Sequence, residues 1–415
     1  EDGAECVYTA DTNTTTWKVT VEEEGMYNIL LDYKTVDSRG VDIERAVYIN
    51  GELPFSGAAT LRFSRLWTDD PSDFAEDGSF RKDNQGNHIR PSQVERYEWQ
   101  QAYCMDDMGY TTEPYQFYFQ AGENTLSLEA VNEPVILRSI KLMPVEQKPD
   151  YAAYAAAQPQ VEMSEEAKTW SLTLQGEEAQ LRSSPSLYPR YDHASPVTEP
   201  YDVSKTVLNY IGGDPWNKAG QWIEWEIEFP EDGLYEIAAR FKQDTMAGMY
   251  VTRKLYIDGE VPFKEAEEIT FNYGSNWQSQ AIGKTIEKTT KNWLGREKIV
   301  KDIDPYQFYL EKGVHKIRIE VVLGDMAEIL REVSELMTNI NNYYLKILMI
   351  TGTNPDEYRD YGFTTIIPDV MNGLVESSEV LYRISAELDA VTGQKGEDSV
   401  LLDKIALILE RMGSD

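Results

Sequence analysis

Cysteine is almost missing from this chain of 415 residues: Cys6 and Cys104 are the two it has. The disulfide framework that staples small secreted domains is therefore excluded, and one bridge between these two is left open. Histidine is scarce as well. His88, His193 and His315 stand far apart, and no His-Glu-x-x-His, Gly-x-Ser-x-Gly or phosphate-cradling Gly-Lys-Ser/Thr stretch occurs. A glycosidase's two carboxylates are set by spatial separation and need no sequence motif, but no catalytic cleft is evident, and the expected class is a non-enzyme. No run of about 18 apolar residues is present, so no helical membrane span and no direct membrane insertion are expected. Positive charge is the last shortage. Against 72 Asp and Glu stand 39 Lys and Arg, and the formal net charge of −33 repels a phosphate backbone or an anionic lipid face, which excludes nucleic acid as a partner.

Aromatic side chains are abundant, with 26 Tyr and 9 Trp, more than core filling alone asks for, which points to a contact surface. The length exceeds what one hydrophobic core supports, so two or three domains are expected.

Comparison of the chain with itself supplies the organisation. WKVTVEEEGMY at Trp17–Tyr27 aligns without a gap with WEIEFPEDGLY at Trp225–Tyr235, and RAVYINGELPF at Arg45–Phe55 with RKLYIDGEVPF at Arg253–Phe263. EPYQFYF at Glu113–Phe119 then meets DPYQFYL at Asp304–Leu310. Three blocks in one order make two copies of one module. Within each copy apolar residues alternate, as in Trp17, Val19, Val21 and Trp225, Ile227, Phe229, the pattern of half-buried strands. Asn50-Gly51 and Asp258-Gly259 mark two-residue hairpins. Many short strands and no intervening helix predict a β-sandwich of the jelly-roll kind in each copy.

Between the copies, Pro149 to Pro159 with its Ala-rich centre predicts one short linker helix. Past Val322 the period becomes helical. Asp325 and Glu328 are read as a capping pair. Apolar stripes run through Met326, Ile329, Leu330, Val333, Leu336, Met337 and Ile340, then Val370, Leu374, Leu381, Ile384, Leu388 and Val391, then Val400, Leu401, Ile405, Ile408 and Met412, each read as the core face of a small antiparallel bundle. The fold class is thus mainly β: two β-sandwich modules, 1–145 and 165–323, a linker at 146–164, and a helical segment at 324–415. The second module shows no strand to match Val135–Leu142, so the helical segment is read as an insertion or interdomain bundle, in a natural protein that continues past Asp415. The start at Glu1 without Met is read as the trace of a removed leader or upstream segment.

The stretch GQWIEWEIEFPEDGLY at Gly220–Tyr235 resembles the signature strand pair of carbohydrate-binding modules of families six and thirty-five, which are galactose-binding-like jelly rolls. Trp17–Tyr27 is the weaker copy. Asp83–Glu95 together with Thr112–Phe119 looks like the N-terminal region of the long extracellular solute-binding proteins of bacterial sugar ABC transporters. The resemblance implies binding of an oligo- or polysaccharide in an extracellular, cell-surface sugar-capture system, with further domains or ABC permease components as partners. It also implies a structural calcium, for which Glu177 and Glu178 before Ala179 match the family's acidic start. The acid-rich Asp69–Asp77 loop is a second oxygen-rich place.

Sugar recognition uses flat apolar rings together with amides, carboxylates or Arg. The insertion from Trp67 to Tyr115 holds that mixture in Trp67, Asp83, Asn84, Asn87, Arg90, Tyr97, Trp99 and Tyr103, and is read as a functional loop. The second module offers Tyr273, Asn276, Trp277 and Trp293. The competing reading packs these rings onto the sandwich. Trp17, Tyr27, Trp225 and Tyr235 are read as core, and Arg45 and Arg253 as ion-pair partners. The rival function is a structural spacer with no ligand of its own.

Overall fold

The computed structural model describes residue 3 and residues 5–245, 249–291, 297–356, 358–392 and 395–414. Trp293 lies outside them, as does the side chain of Val391. Two compact units divide the chain: one comprises Glu1–Phe241, Thr252–Ile269 and Asn276–Val322, the other Lys242–Val251, Thr270–Ser275 and Leu323–Asp415.

The first module contributes β1 (Val7–Thr9), β2 (Thr14–Val21), β3 (Gly25–Thr35), β4 (Ile43–Ile49), β5 (Leu61–Phe63), β6 (Leu66–Asp69), β7 (Gln93–Arg96), β8 (Trp99–Tyr103), β9 (Gln116–Phe119), β10 (Gly122–Asn132) and β11 (Val135–Pro144). One sheet has the order β1-β11-β3-β8, with β9 also on β3, and a second has the order β2-β10-β4-β5. Alternation explains why they face each other. Ile29, Leu31 and Tyr33 from β3 meet Val47 and Ile49 from β4, Phe117 and Phe119 from β9, and Leu126 and Leu128 from β10 in one core, with Trp17 and Tyr27 packed on its rim. Asn50 and Gly51 take positive φ of 51° and 81°, the mirror-image turn that Asn-Gly favours, and Asp258 and Gly259 repeat it at 52° and 86°.

The helix α1 (Tyr151–Ala157) sits where the linker composition places it, capped by Asp150, whose carboxylate accepts the Ala153 N–H at 2.7 Å. A second short helix, α2 (Glu165–Thr169), follows Ser164 as its cap. The second module then supplies β12 (Leu181–Arg182), β13 (Trp222–Phe229), β14 (Gly233–Glu236), β15 (Ala238–Gln243), β16 (Tyr250–Ile257), β17 (Ile269–Asn272), β18 (Gly274–Ala281), β19 (Gly283–Lys291), β20 (Glu297–Pro305), β21 (Gln307–Leu310) and β22 (Gly313–Val322). The repeated blocks fold alike: Tyr27 lies opposite Phe117 as Tyr235 lies opposite Phe308.

The insertion read as a loop is not one. Strands β6 and β7 leave the first module and enter a seven-stranded sheet of order β17-β16-β22-β13-β12-β6-β7. Trp67 pairs with Arg182, while Leu66 packs with Leu181 and Trp222. Behind them Arg182, fully buried, donates to both carboxylate oxygens of Asp69 at 2.7 Å. A charged, hydrogen-bonded seam gives no apolar alternation to read, which is why the sequence pattern looks loop-like there.

Arg45 and Arg253 also differ from expectation. Among the described residues neither donates to a carboxylate. Arg45 gives its N–H groups to the carbonyls of Glu44, Asn132 and Glu133 and to the Thr9 hydroxyl, and Arg253 gives its own to the carbonyls of Thr252 and Trp216 while stacking on the Trp216 ring at 4.6 Å. Burial pulls both guanidinium pKa values down to about 10. Cys6 and Cys104 are not bridged to each other: Cys104 is buried and Cys6 exposed.

The helical segment forms α3 (Met326–Thr351), α4 (Phe363–Ile366), α5 (Pro368–Thr392) and α6 (Glu397–Ser414). Asp325 does not cap α3 with its side chain; its carboxylate accepts the Tyr250 hydroxyl at 2.7 Å. Leu336, Val370, Leu374, Leu381, Ala406 and Leu409 make the core, with Ile340 and Leu402 against it. The third stripe faces the other way: Leu401, Ile408 and Met412 are exposed. Helix α6 is apolar on two faces, and period alone cannot choose between them. Among the described residues no helix is long and apolar enough to cross a membrane.

Candidate functional site

The sequence candidates fall in separate places. At the tip of the β6–β7 excursion, Asp83 accepts the N–H groups of Gln85 and Asn87 and the Asn87 side-chain amide, holding a tight turn. Asn87 in turn accepts the Thr206 N–H at 2.9 Å, and His88 Nδ1 accepts that of Leu208 at 3.2 Å. Arg90 lies over the Tyr188 ring at 4.1 Å, while Asn84 is exposed. These residues pin the tip to the second module. Trp67 lies against the turn at Gly40, where an added Cβ would sit 3.7 Å from the indole. Trp277 on β18 donates its indole N–H to Asp192 at 2.8 Å and meets Tyr210 edge-on. Tyr273 and Asn276 are exposed.

Trp99 and Tyr103 are different. They stand on β8, at one side of the five-stranded sheet, on the face turned away from the core. Pairing places Lys34 beside Trp99, Asp32 beside Gln101 and Leu30 beside Tyr103. At the bulge in β11, between Leu137 and Ser139, the strand releases Arg138 onto this face. Its guanidinium donates to Asp32 at 2.9 Å and covers one side of the Trp99 ring at 4.5 Å. Gln101 adds a weaker donor to Asp32 at 3.4 Å. Asp32 itself is 4% exposed, and its Oδ1 has no hydrogen-bond partner. The indole, the Arg and the Gln101 amide stand together on this face and offer a ring and N–H donors to a hydroxylated ligand, while the unpartnered Oδ1 of Asp32 lies buried beneath them. Burial and the nearby Glu260 and Glu146 raise the pKa of the Tyr103 phenol, which stays a neutral donor. Tyr97, exposed on the connection before β8, reaches Asp37 at 3.5 Å.

Asp32, Gln101 and Arg138 did not stand out in the sequence. The signal that could have found Asp32 and Arg138 is a charge beside an apolar run: Asp32 interrupts Ile29–Tyr33, and Arg138 follows Val135–Leu137.

Glu177 is 2% exposed with Oε2 unpartnered, and burial, reinforced by Glu178, pushes its pKa up to about 7. That is one oxygen, not a cation site. Glu178 is exposed, and among the described residues no group of three His, Cys, Asp or Glu side chains gathers to hold a metal. In the acid-rich loop, Asp69 serves Arg182, Asp70 the Ser72 N–H, Asp73 the Ser92 N–H and Asp77 Ser79. These residues do not fit a calcium site.

No curated protein matches the chain. Among solved structures, a Podospora anserina GH26-CBM35 β-(1,4)-mannanase is 13% identical with a TM-score of 0.18, over 36% of this chain and 27% of that one. A ruminal GH26 endo-β-1,4-mannanase is 13% identical with a TM-score of 0.20, over 40% and 25%. The cycloalternan-forming enzyme of Listeria monocytogenes is 12% identical with a TM-score of 0.22, over 77% of this chain and 18% of that one. The chain thus spans no more than about a quarter of the length of these enzymes, and scores so low carry no argument about it. Residues 328–414, from within α3 through α6, match the family described as Bacterial solute-binding protein, 4-helix bundle domain.

Proposed function

We propose that the chain is a non-catalytic, carbohydrate-binding part of an extracellular solute-capture system, and that the sugar contacts the outer face of the first module's five-stranded sheet. The class is carried by the match of residues 328–414 to a domain of bacterial solute-binding proteins. The place is supported by Trp99 beside Arg138 and Gln101, both held on this face by Asp32. Tyr97 and Tyr103 border the same strand. Both modules are read as galactose-binding-like jelly rolls, a reading that the block-by-block repetition of their elements supports. ABC permease components are the partners such a system implies.

A structural spacer is the second reading. It is favoured by Trp67, Asp83, Asn87, Arg90 and Trp277, all engaged in contacts within the chain. Calorimetric titration of the whole chain with a panel of neutral oligosaccharides separates the two. A binder releases or absorbs heat with at least one of them and melts at a higher temperature in its presence; a spacer shows neither effect with any.

A further inference from the structure

In the first module β3 is hydrogen-bonded on both edges. One edge carries β8 and β9, and the other carries β11, from Val135 opposite Thr35 to Pro144 opposite Tyr27. The second module repeats the first of these edges closely. Strand β14 pairs with β21, β15 pairs with β18, and the Ile282 N–H donates to the Ile237 carbonyl as the Cys104 N–H donates to that of Ile29. The other edge has no counterpart of β11 among the described residues. Where β10 leads into β11 after two residues, β22 leads into α3.

Exposure records the difference. Ile29, Leu31 and Tyr33 are 0%, 2% and 1% exposed, whereas their equivalents Ile237, Ala239 and Phe241 are only half-buried. Leu30 and Asp32 are buried on the other face, but Ala238 and Arg240 are exposed. Among the described residues Met163 packs against Gly233 and Trp170 against Phe229 and Tyr235 at the start of β14, and no strand pairs with Glu236, Ala238 and Arg240 on this edge. Successive residues of an antiparallel strand turn their N–H and C=O groups to alternate edges, so with Ile237 committed to β18, Glu236, Ala238 and Arg240 present theirs to the open one.

We propose that the β14–β15 edge receives one extended antiparallel strand of a partner segment, in the place β11 holds in the first module. The internal copy defines the chemistry of that occupant. Val135 and Leu137 of β11 are buried in the core and Ile140 and Leu142 pack against it, so the segment carries aliphatic residues at alternate positions and pairs through its backbone. Unpaired edges of this length are normally blunted by charge, Pro or a covering element. Here the exposed side chains are Glu236, Ala238 and Arg240; Arg240 is drawn aside to the Val197 carbonyl and Glu199, which leaves Glu236 as the charge beside Ala238.

Hydrogen–deuterium exchange on the whole chain tests this, with a synthetic peptide of the sequence Val135–Pro144 as the probe. Without peptide, the amides of Glu236, Ala238 and Arg240 exchange fast while those of Asn28, Leu30 and Asp32 stay protected. Added peptide slows the former by about tenfold or more, and the same peptide carrying Ile140→Lys and Leu142→Lys does not. The proposal is overturned if these amides are already as protected as those of β3, since the edge is then covered. It is equally overturned if saturating peptide leaves them unchanged, or if their protection rises with protein concentration as a dimer forms, which makes a second copy the occupant.

Discussion

The phenolic oxygen of Tyr151 accepts the backbone N–H of Gln307 at 2.9 Å, and Tyr154, three residues along α1, accepts that of Tyr309 at 3.2 Å. Residues three apart share a helix face, and residues two apart share a strand edge. A linker helix thereby blunts the outer edge of β21. Tyr151 also packs its ring on Phe263 and Tyr306 at 5.0 and 4.4 Å, so the contact is apolar as well as polar.

Tyr151→Phe keeps the ring and leaves the Gln307 N–H without its partner, and is expected to cost about 1 kcal/mol. Amide exchange at Gln307 should rise in step, measured together with the denaturation midpoint. An unchanged midpoint with unchanged exchange removes the capping role.

Asp69→Ala leaves the Arg182 guanidinium buried with the Gln93 side chain and the Ala179 carbonyl as its remaining partners. Breaking a buried pair in this way costs about 3–5 kcal/mol, so the midpoint of denaturant unfolding should fall steeply. A loss below about 1 kcal/mol shows that the seam between β6 and β12 does not hold the seven-stranded sheet together.

These two contacts mark what the sequence does and does not disclose. The hairpin turns at Asn50-Gly51 and Asp258-Gly259, and α1 with its Asp150 cap, are legible because each rests on local chemistry. The β6–β12 junction is not, because Asp69 and Arg182 lie 113 positions apart and their buried charges imitate a polar loop. The inner face of α6 is hidden by a second apolar stripe on the same helix. For the candidate site, Trp99 and Tyr103 are visible as aromatics in a polar stretch, but Asp32, Gln101 and Arg138 join them only through strand pairing.

Glu177 gives a pH signature. The unfolded chain releases this proton near 4.5 and the folded one near 7, so stability falls as pH rises through that window and stays lower above it. Glu177→Gln should flatten the slope and gain on the order of 2 kcal/mol at alkaline pH. Equal slopes in variant and wild type contradict the burial argument. Added calcium should leave the wild-type melting temperature unchanged.

His315 behaves oppositely. Burial pushes its pKa down, but Asp258 at 2.6 Å and the Glu311 carbonyl at 2.9 Å outweigh burial and hold it above 6.5. Its stabilisation is fully present below the unfolded value and is lost as pH rises through the folded one. The melting-temperature gap between wild type and Asp258→Asn should therefore be widest near about pH 5.5 and narrow by about pH 8.5. A gap independent of pH removes the ion pair from the account.

The most direct test of carbohydrate binding on the β3–β8–β11 face is the Kd of Trp99→Ala and of Trp277→Ala for a saccharide that binds the wild type. An indole stacked on a sugar contributes on the order of 1–2 kcal/mol, by analogy with aromatic pair energies. Trp99→Ala should therefore weaken binding by several-fold to about thirtyfold, while Trp277→Ala, whose indole is held by Asp192, should leave Kd unchanged. Unchanged affinity in Trp99→Ala with the fold intact, or no binding of any saccharide by the wild type, would contradict it.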